Sequence, residues 1–272
     1  MIDVGAEAAP RSAHDAFVLS AARARAGSIL TTGANVRAEP LLRHEPFGPG
    51  AEALRKWRRT RITGGTVIPP HTVVLTRDAS LDLGHPLFSD GDGTAHVLTD
   101  RATAVCLRRQ KHHGGMGSDG QHPMHIIELH GRAATNPASP IVFARSLPAG
   151  KHAAASRLAH TVSAATSDVP RAGRQPAGDV VLECGVTTAR PLYVASAVDE
   201  LLLSVYHGPL DNSARGKTFL SWAEIREYFG EEEVRRALAQ KYCVHSQNDQ
   251  WQDGVAESWS FLRFRFNRSC GS

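Results

Sequence analysis

Three short runs in the first hundred residues end alike. Ser28–Gly33 reads SILTTG, His71–Asp78 reads HTVVLTRD and Thr94–Asp100 reads TAHVLTD. Each is apolar and β-branched, and each closes with a Leu-Thr step before Gly33, Asp78 or Asp100. An unbroken apolar run of this length marks a strand covered on both faces, because a strand with one wet face would alternate. Pro69 and Pro70 bar a helical entry to the second run. Strands of this kind, separated by helical or loop text, predict an α/β fold with a mainly parallel central sheet and helices on both faces. In such sheets ligands bind outside the carboxyl ends of the strands, where these threonines fall. A single threonine would mean only that Thr favours strands; the inference rests on three matching ends.

The bulk numbers narrow the function classes. With 272 residues and 42% apolar content the chain can bury a sizeable core. No internal repeat or linker divides it, so residues 1–272 read as a single domain. Its 31 basic and 27 acidic residues leave a net charge of +4, without the long basic stripe of a nucleic-acid binder. The densest run, Leu54–Arg61 (LRKWRRTR), reads as a solvated helix or loop face, with a phosphate-bearing ligand or an RNA contact as the minor alternative. The four cysteines, Cys106, Cys184, Cys243 and Cys270, form no CxxC pair, which excludes a zinc ribbon or dithiol site and fits reduced thiols in a cytoplasmic protein. The opening MIDVGAEAAP lacks the pattern of a secretory leader, and no apolar stretch approaches the roughly 20 residues needed to span a bilayer, so no membrane partner is expected.

Ser12–Ala26 reads as a helix capped by Ser12 and Asp15 and ended by Gly27. The Gly-, His- and Pro-rich text from Arg108 to Pro140 reads as a surface insertion. His112, His113, His122, His125 and His130 lie within it at spacings that match no standard ligand set, so no metal site is assigned. Pro140–Arg145 then reads as a strand, Lys151–Ala165 as a helix, Ala177–Cys184 as a strand, Thr187–Ser196 as a helix with Pro191 near its first turn, and Val198–Gly208 as a strand. Ser221–Gln240 is helical in pattern but broken by Gly230, and Ser258–Asn267 alternates like a strand.

The most informative stretch is Val180–Thr188, VVLECGVTT. A strand that stops at Gly185 and passes into a helix near Thr187 aims unpaired N–H groups and the positive helix end at one point, which suits an anion. Gly185 lets a phosphate approach the backbone, and the two threonines add hydroxyl donors. A plain helix cap with nothing bound explains the same residues equally well.

Here the chain resembles a family. VVLECGVTTARPLYVASAVDELLLSVYHGPL is similar to the stretch of the riboflavin-pathway deaminase-reductase's reductase domain that carries Glu-Gly-Gly, a short helix and Val-Asp-Glu-Leu. Ile29–Pro40, ILTTGANVRAEP, is similar to its strand with Thr-Val-Arg-Ala-Asp-Asn-Pro. The resemblance covers roughly Ser12–Arg108 and Gly178–Arg265. It implies a dihydrofolate-reductase-like fold, a homodimer, and an enzyme that binds NADPH and passes hydride to a pyrimidine carrying a sugar phosphate, as in riboflavin biosynthesis. On this resemblance Glu183, Cys184, Gly185, Val186 and Thr187 hold the cofactor pyrophosphate, and Thr31, Thr32 and Gly33 lie beside the cofactor. Thr76 and Arg77 face its 2′-phosphate, and Arg37 and Glu39 face the substrate. No residue identifies itself as a catalytic acid. Cys184 stands for the family's first glycine, Ala-Glu-Pro for Ala-Asp-Asn-Pro, and MIDVGAE for the opening strand with its Ser-Leu-Asp-Gly-like phrase. These departures leave open a non-catalytic nucleotide-binding or assembly module on the same fold.

Overall fold

The structure, a computed structural model, describes residues 12–61, 69–89, 94–113, 124–128, 179–194, 198–208, 220–245 and 258–266. The chain divides into two units, residues 17–185 and residues 1–16 with 186–272. Helix α1 (Ala13–Arg25) starts after Ser12, whose hydroxyl accepts from the Asp15 N–H at 3.4 Å, as its cap pattern predicts.

Among the described residues the larger unit has five strands, β1 (Ala26–Thr32), β2 (His71–Leu75), β3 (Ala95–Thr99), β4 (Met124–Glu128) and β5 (Asp179–Glu183). They pair in the order β4-β3-β2-β1-β5, every pairing parallel. The three runs that open the sequence form its middle, and successive residues there are buried on opposite faces: Val73 and Val74 both lack accessible surface, as do Val97 and Leu98. That is why these strands read as unbroken apolar text. One face packs Val74, Ala95 and Val97 against Val36 of α2 (Gly33–Ala38), Leu87 and Phe88 of α4 (Pro86–Ser89) and Leu107 of α5 (Arg101–His113). On the other face Leu30, Val73 and Leu98 form a cluster with Leu75, Ile127 and Leu182. Another helix, α3 (Ala51–Arg61), carries the basic run expected as a solvated face. Arg58 departs from that expectation: it is buried and its guanidinium donates to the carbonyls of Ala24 and Ala26, at the end of α1 and the start of β1.

Part of the text expected as a surface insertion belongs to this unit. Arg108–His113 complete α5, and Met124–Glu128 form β4, an outer strand registered so that His125 pairs with His96 and Glu128 with Thr99. The helix also shields the strand. Arg108 donates to the Ile126 carbonyl at 3.2 Å and Lys111 to the Met124 carbonyl at 3.0 Å. Polar groups of an outer strand are thereby engaged instead of being offered to another chain.

The smaller unit contains α6 (Val186–Val194), β6 (Glu200–Tyr206), α7 (Trp222–Phe229), α8 (Glu231–Ala239), β7 (Tyr242–His245) and β8 (Ser258–Arg265). Its sheet is antiparallel, in the order β6-β8-β7. Ser221 and Glu224 form a full capping box, and Gly230, at φ 87°, separates α7 from α8 at the break read from the sequence. Pro191 lies in the interior of α6, not its first turn, because the helix begins at Val186. The strand expected at Pro140–Arg145 and the helix expected at Lys151–Ala165 lie outside the described residues. Among the described residues no helix is long and apolar enough to cross a membrane.

Candidate functional site

Chain direction picks out one edge of the larger sheet. From β1 the chain steps to β2, β3 and β4 on one side, then returns to place β5 on the other side of β1. The strand order therefore reverses between β1 and β5, and in open parallel sheets the crevice beyond the carboxyl ends at such a reversal is where ligands bind. Thr31 of β1 stands in register with Glu183 of β5, and Thr32 with Leu75 of β2.

Asn35 ties these ends together. Its backbone N–H donates to the Thr32 hydroxyl at 3.3 Å, capping α2, and its side-chain amide donates to the Glu183 carbonyl at 3.0 Å and the Thr31 hydroxyl at 3.4 Å. Thr31 and Thr32 are both buried and serve Asn35 as acceptors; a hydroxyl keeps one proton to donate.

Gly33 has a steric reason to be glycine. A Cβ there would stand 2.6 Å from the Thr76 hydroxyl oxygen and 2.9 Å from its Cβ, so the tips of β1 and β2 approach only because Gly33 has no side chain. Thr76 folds onto its own turn, accepting from the Asp78 N–H at 3.0 Å and donating to the Asp78 carbonyl at 3.2 Å. Arg77 is exposed, and its carbonyl accepts from Thr103 at 3.1 Å. Arg37 lies over the same tips, its Nη1 3.5 Å from the position of the Gly33 Cβ and 3.2 Å from Asp78 Oδ2. The Ser80 backbone N–H and hydroxyl, with Arg37 beside them, hold the Asp78 carboxyl below its usual range.

At the β5 tip the Glu183 carboxylate is enclosed and paired. Arg23, itself buried, donates to both of its oxygens at 2.7 and 2.6 Å, and also to the carbonyls of Arg43 at 2.9 Å and Glu45 at 3.3 Å. One guanidinium thus fixes β5 and the chain leading away from α2. Partial desolvation pushes the Glu39 carboxyl above its ordinary value, against the pull of Arg23 and with the push of Glu183. Its carbonyl accepts from His85 Nε2 at 3.0 Å, while His85 Nδ1 accepts from the Leu87 N–H at 3.0 Å, so His85 is the neutral Nε2–H tautomer. Burial, with Glu183 nearby, pushes the Cys184 thiol up to about 12, which leaves it a poor nucleophile. Gly185 differs from Gly33: no described atom lies within 4 Å of where its Cβ would stand. The larger unit ends there, and the next residues, Val186 and Thr187, open α6 in the smaller one.

The larger unit thus brings together Thr31, Thr32, Gly33, Arg37, Thr76, Arg77, Glu39, Glu183, Cys184 and Gly185 around the carboxyl ends of β1, β2 and β5. The long-range contacts that hold those residues in place carry no local signal in the sequence: Arg23 and Asn35 reach Glu183 across 160 and 148 positions, and Asp78 meets Arg37 only in the folded chain. Among the described residues no group of three or more His, Cys, Asp or Glu side chains is placed to hold a metal ion.

The chain matches no protein-family model and no curated protein. Among solved structures it is similar to Acinetobacter baumannii RibD. The likeness is one of fold. Form 1 aligns over 98% of this chain and 54% of that one at 15% identity with a TM-score of 0.50; form 2 aligns over 95% and 51% at 15% identity with a TM-score of 0.47. The chain spans about half the length of the RibD chains it matches. The parallel sheet with its flanking helices is accordingly the dihydrofolate-reductase-like α/β fold expected from the sequence.

Proposed function

We propose that the chain is an NADPH-dependent reductase that passes hydride to a pyrimidine bearing a sugar phosphate. The observation that carries this reading is the reversal of strand order at β1 and β5, with Thr31 and Thr32 at one tip and, at the other, Gly185 with no described atom within 4 Å of its Cβ position. A Cβ-free position with open space in front of it fits a pyrophosphate, whose oxygens need backbone N–H groups at close range. Glu183 serves this reading through its backbone, since its carboxylate already belongs to Arg23. Cys184, Val186 and Thr187 supply the remaining N–H groups. Thr31, Thr32 and Gly33 form the wall beside the cofactor, and Thr76 and exposed Arg77 take its 2′-phosphate, a task suited to a planar guanidinium. Arg37 and Glu39 face the substrate, Arg37 toward its phosphate.

Bound NADPH would supply the hydride, so the chain's part is to orient and to exclude water. Asn35 fixes the spacing of the β1 and β5 tips, and Gly33 sets β1 against β2. The internal pairing of Glu183 with Arg23 and of Arg37 with Asp78 favours one alternative, a nucleotide-binding module without turnover.

Titration of NADPH fluorescence tests the reading. Wild type should bind NADPH more tightly than NADH, and Arg77→Ala should weaken NADPH by about tenfold or more while leaving NADH nearly unchanged. Equal losses for the two cofactors would remove Arg77 from the 2′-phosphate, and no binding of either would remove the reductase.

A further inference from the structure

The smaller unit carries a line of three side chains that the proposed reduction does not use. Ser260, on the central strand β8, stands in register with Cys243 on β7 and with Val205 on β6. Residues directly opposite in an antiparallel sheet share a face, so Cys243, Ser260 and Val205 do, and His207 lies one residue past the end of β6, two positions after Val205. The contacts agree with this placement. His207 Nε2 is 2.7 Å from the Ser260 hydroxyl oxygen, and the same oxygen is 3.5 Å from the Cys243 sulfur. The two ends are exposed residues and the middle is not: Cys243 and His207 are exposed, while Ser260 is 5% accessible.

We propose that Cys243 is a reactive thiol, activated by His207 through Ser260, and a site of mixed-disulfide formation with low-molecular-weight disulfides. A hydroxyl can accept one proton while giving up another, so Ser260 can take the Cys243 proton as it passes its own to His207 Nε2. The thiolate attacks one sulfur of R–S–S–R; the Cys243–sulfur bond forms as the S–S bond breaks. Cys243 is oxidised and the departing RS⁻ is reduced, and the leaving thiolate takes up the proton held on the His207 ring. The arrangement sets Cys243 apart from the other two described cysteines. Cys106 is also exposed, but on α5, with no base relayed to it by a hydroxyl among the described residues, and the Cys184 thiol is pushed up to about 12 by burial.

The test uses the full chain and dithiobisnitrobenzoate, an aryl disulfide, with labelling of each cysteine followed by mass spectrometry. At pH 7 Cys243 should react at least about tenfold faster than Cys106, with Cys184 slowest, in line with the usual effect of a positioned base. His207→Gln, which keeps a polar side chain but offers no base, should bring Cys243 down to the rate of Cys106. Ser260→Ala should do the same, and Ser260→Thr, which restores the hydroxyl, should return the advantage. Urea midpoints within error of wild type mark the variants as folded. Equal rates at Cys243 and Cys106 in wild type, or a Cys243 advantage that survives both His207→Gln and Ser260→Ala, would overturn the proposal. NADPH binding plays no part in the measurement, so its outcome is independent of the proposed reductase.

Discussion

Acidification below pH 6.5 should destabilise this protein, because two buried histidines resist gaining protons in the fold. His44 is 6% accessible; its Nδ1 lies 3.0 Å from the Thr72 hydroxyl, and its Nε2 has no hydrogen-bond partner among the described residues. Burial pushes it down to about 4 from 6.5, with Glu183 opposing and Arg23 assisting the shift. His96 is also pushed down to about 4, by burial first and then by His71 and His125, whose rings lie 5.6 and 5.3 Å from its own. It has almost no accessible surface. Between the unfolded value of 6.5 and the folded value of about 4, the unfolded chain binds the extra proton. Stability is therefore fully present above pH 6.5 and falls as the pH drops toward 4. A difference of about 2.5 pH units at about 1.4 kcal/mol per unit is about 3 kcal/mol from His44, a large share of the roughly 5 to 15 kcal/mol that holds a domain together. Urea unfolding at pH 7.5, 6.5, 5.5 and 5.0 reads the slope directly. Wild type should lose stability with a slope approaching two protons, and His44→Asn, which keeps a group able to meet Thr72, should remove about one proton from that slope. A stability flat from pH 7.5 to 5.0, or an unchanged slope in His44→Asn, would refute the reasoning.

Glu183→Ala should destabilise the protein by about 3 to 5 kcal/mol, because it leaves the buried Arg23 guanidinium without its carboxylate; the double variant Arg23→Met/Glu183→Leu should recover most of the loss. Urea midpoints decide it, and a single-variant cost below about 1 kcal/mol would deny the pair its structural role. Gly33→Ala should cost about 1 to 3 kcal/mol through collision with Thr76, with partial relief in Gly33→Ala/Thr76→Gly; equal costs with and without the Thr76 change would place the clash elsewhere.

The parts of the fold that could be read from the sequence are those whose cause is local. Val73 and Val74, or Val97 and Leu98, are buried on opposite faces, so their strands print as unbroken apolar words. Ser12 before α1 and Gly230 between α7 and α8 mark element ends through their own hydrogen bonding or backbone angle. β4 was hidden because five residues, MHIIE, sit in His- and Gly-rich text, and its place as an outer strand depends on pairing with β3. β7 is shorter still, four residues. The threonine tips of β1 and β2 were legible as a place, but what holds them was not. Gly33 is required by Thr76, Glu183 is claimed by Arg23 and Arg37 by Asp78, and each of these depends on chain segments that meet only after folding. Arg58 shows the same limit from the other side: within a run of basic residues nothing distinguishes the one that turns inward to cap α1.

The central claim is that a dinucleotide lies across the carboxyl ends of β1 and β5. Determining the structure of the protein with NADPH bound tests it most directly. The account predicts density for the pyrophosphate against the backbone at Gly185, the nicotinamide beside Thr31 and Thr32, and the 2′-phosphate at Arg77. A cofactor bound at the amino ends of the strands, or anywhere away from Gly185, would contradict it.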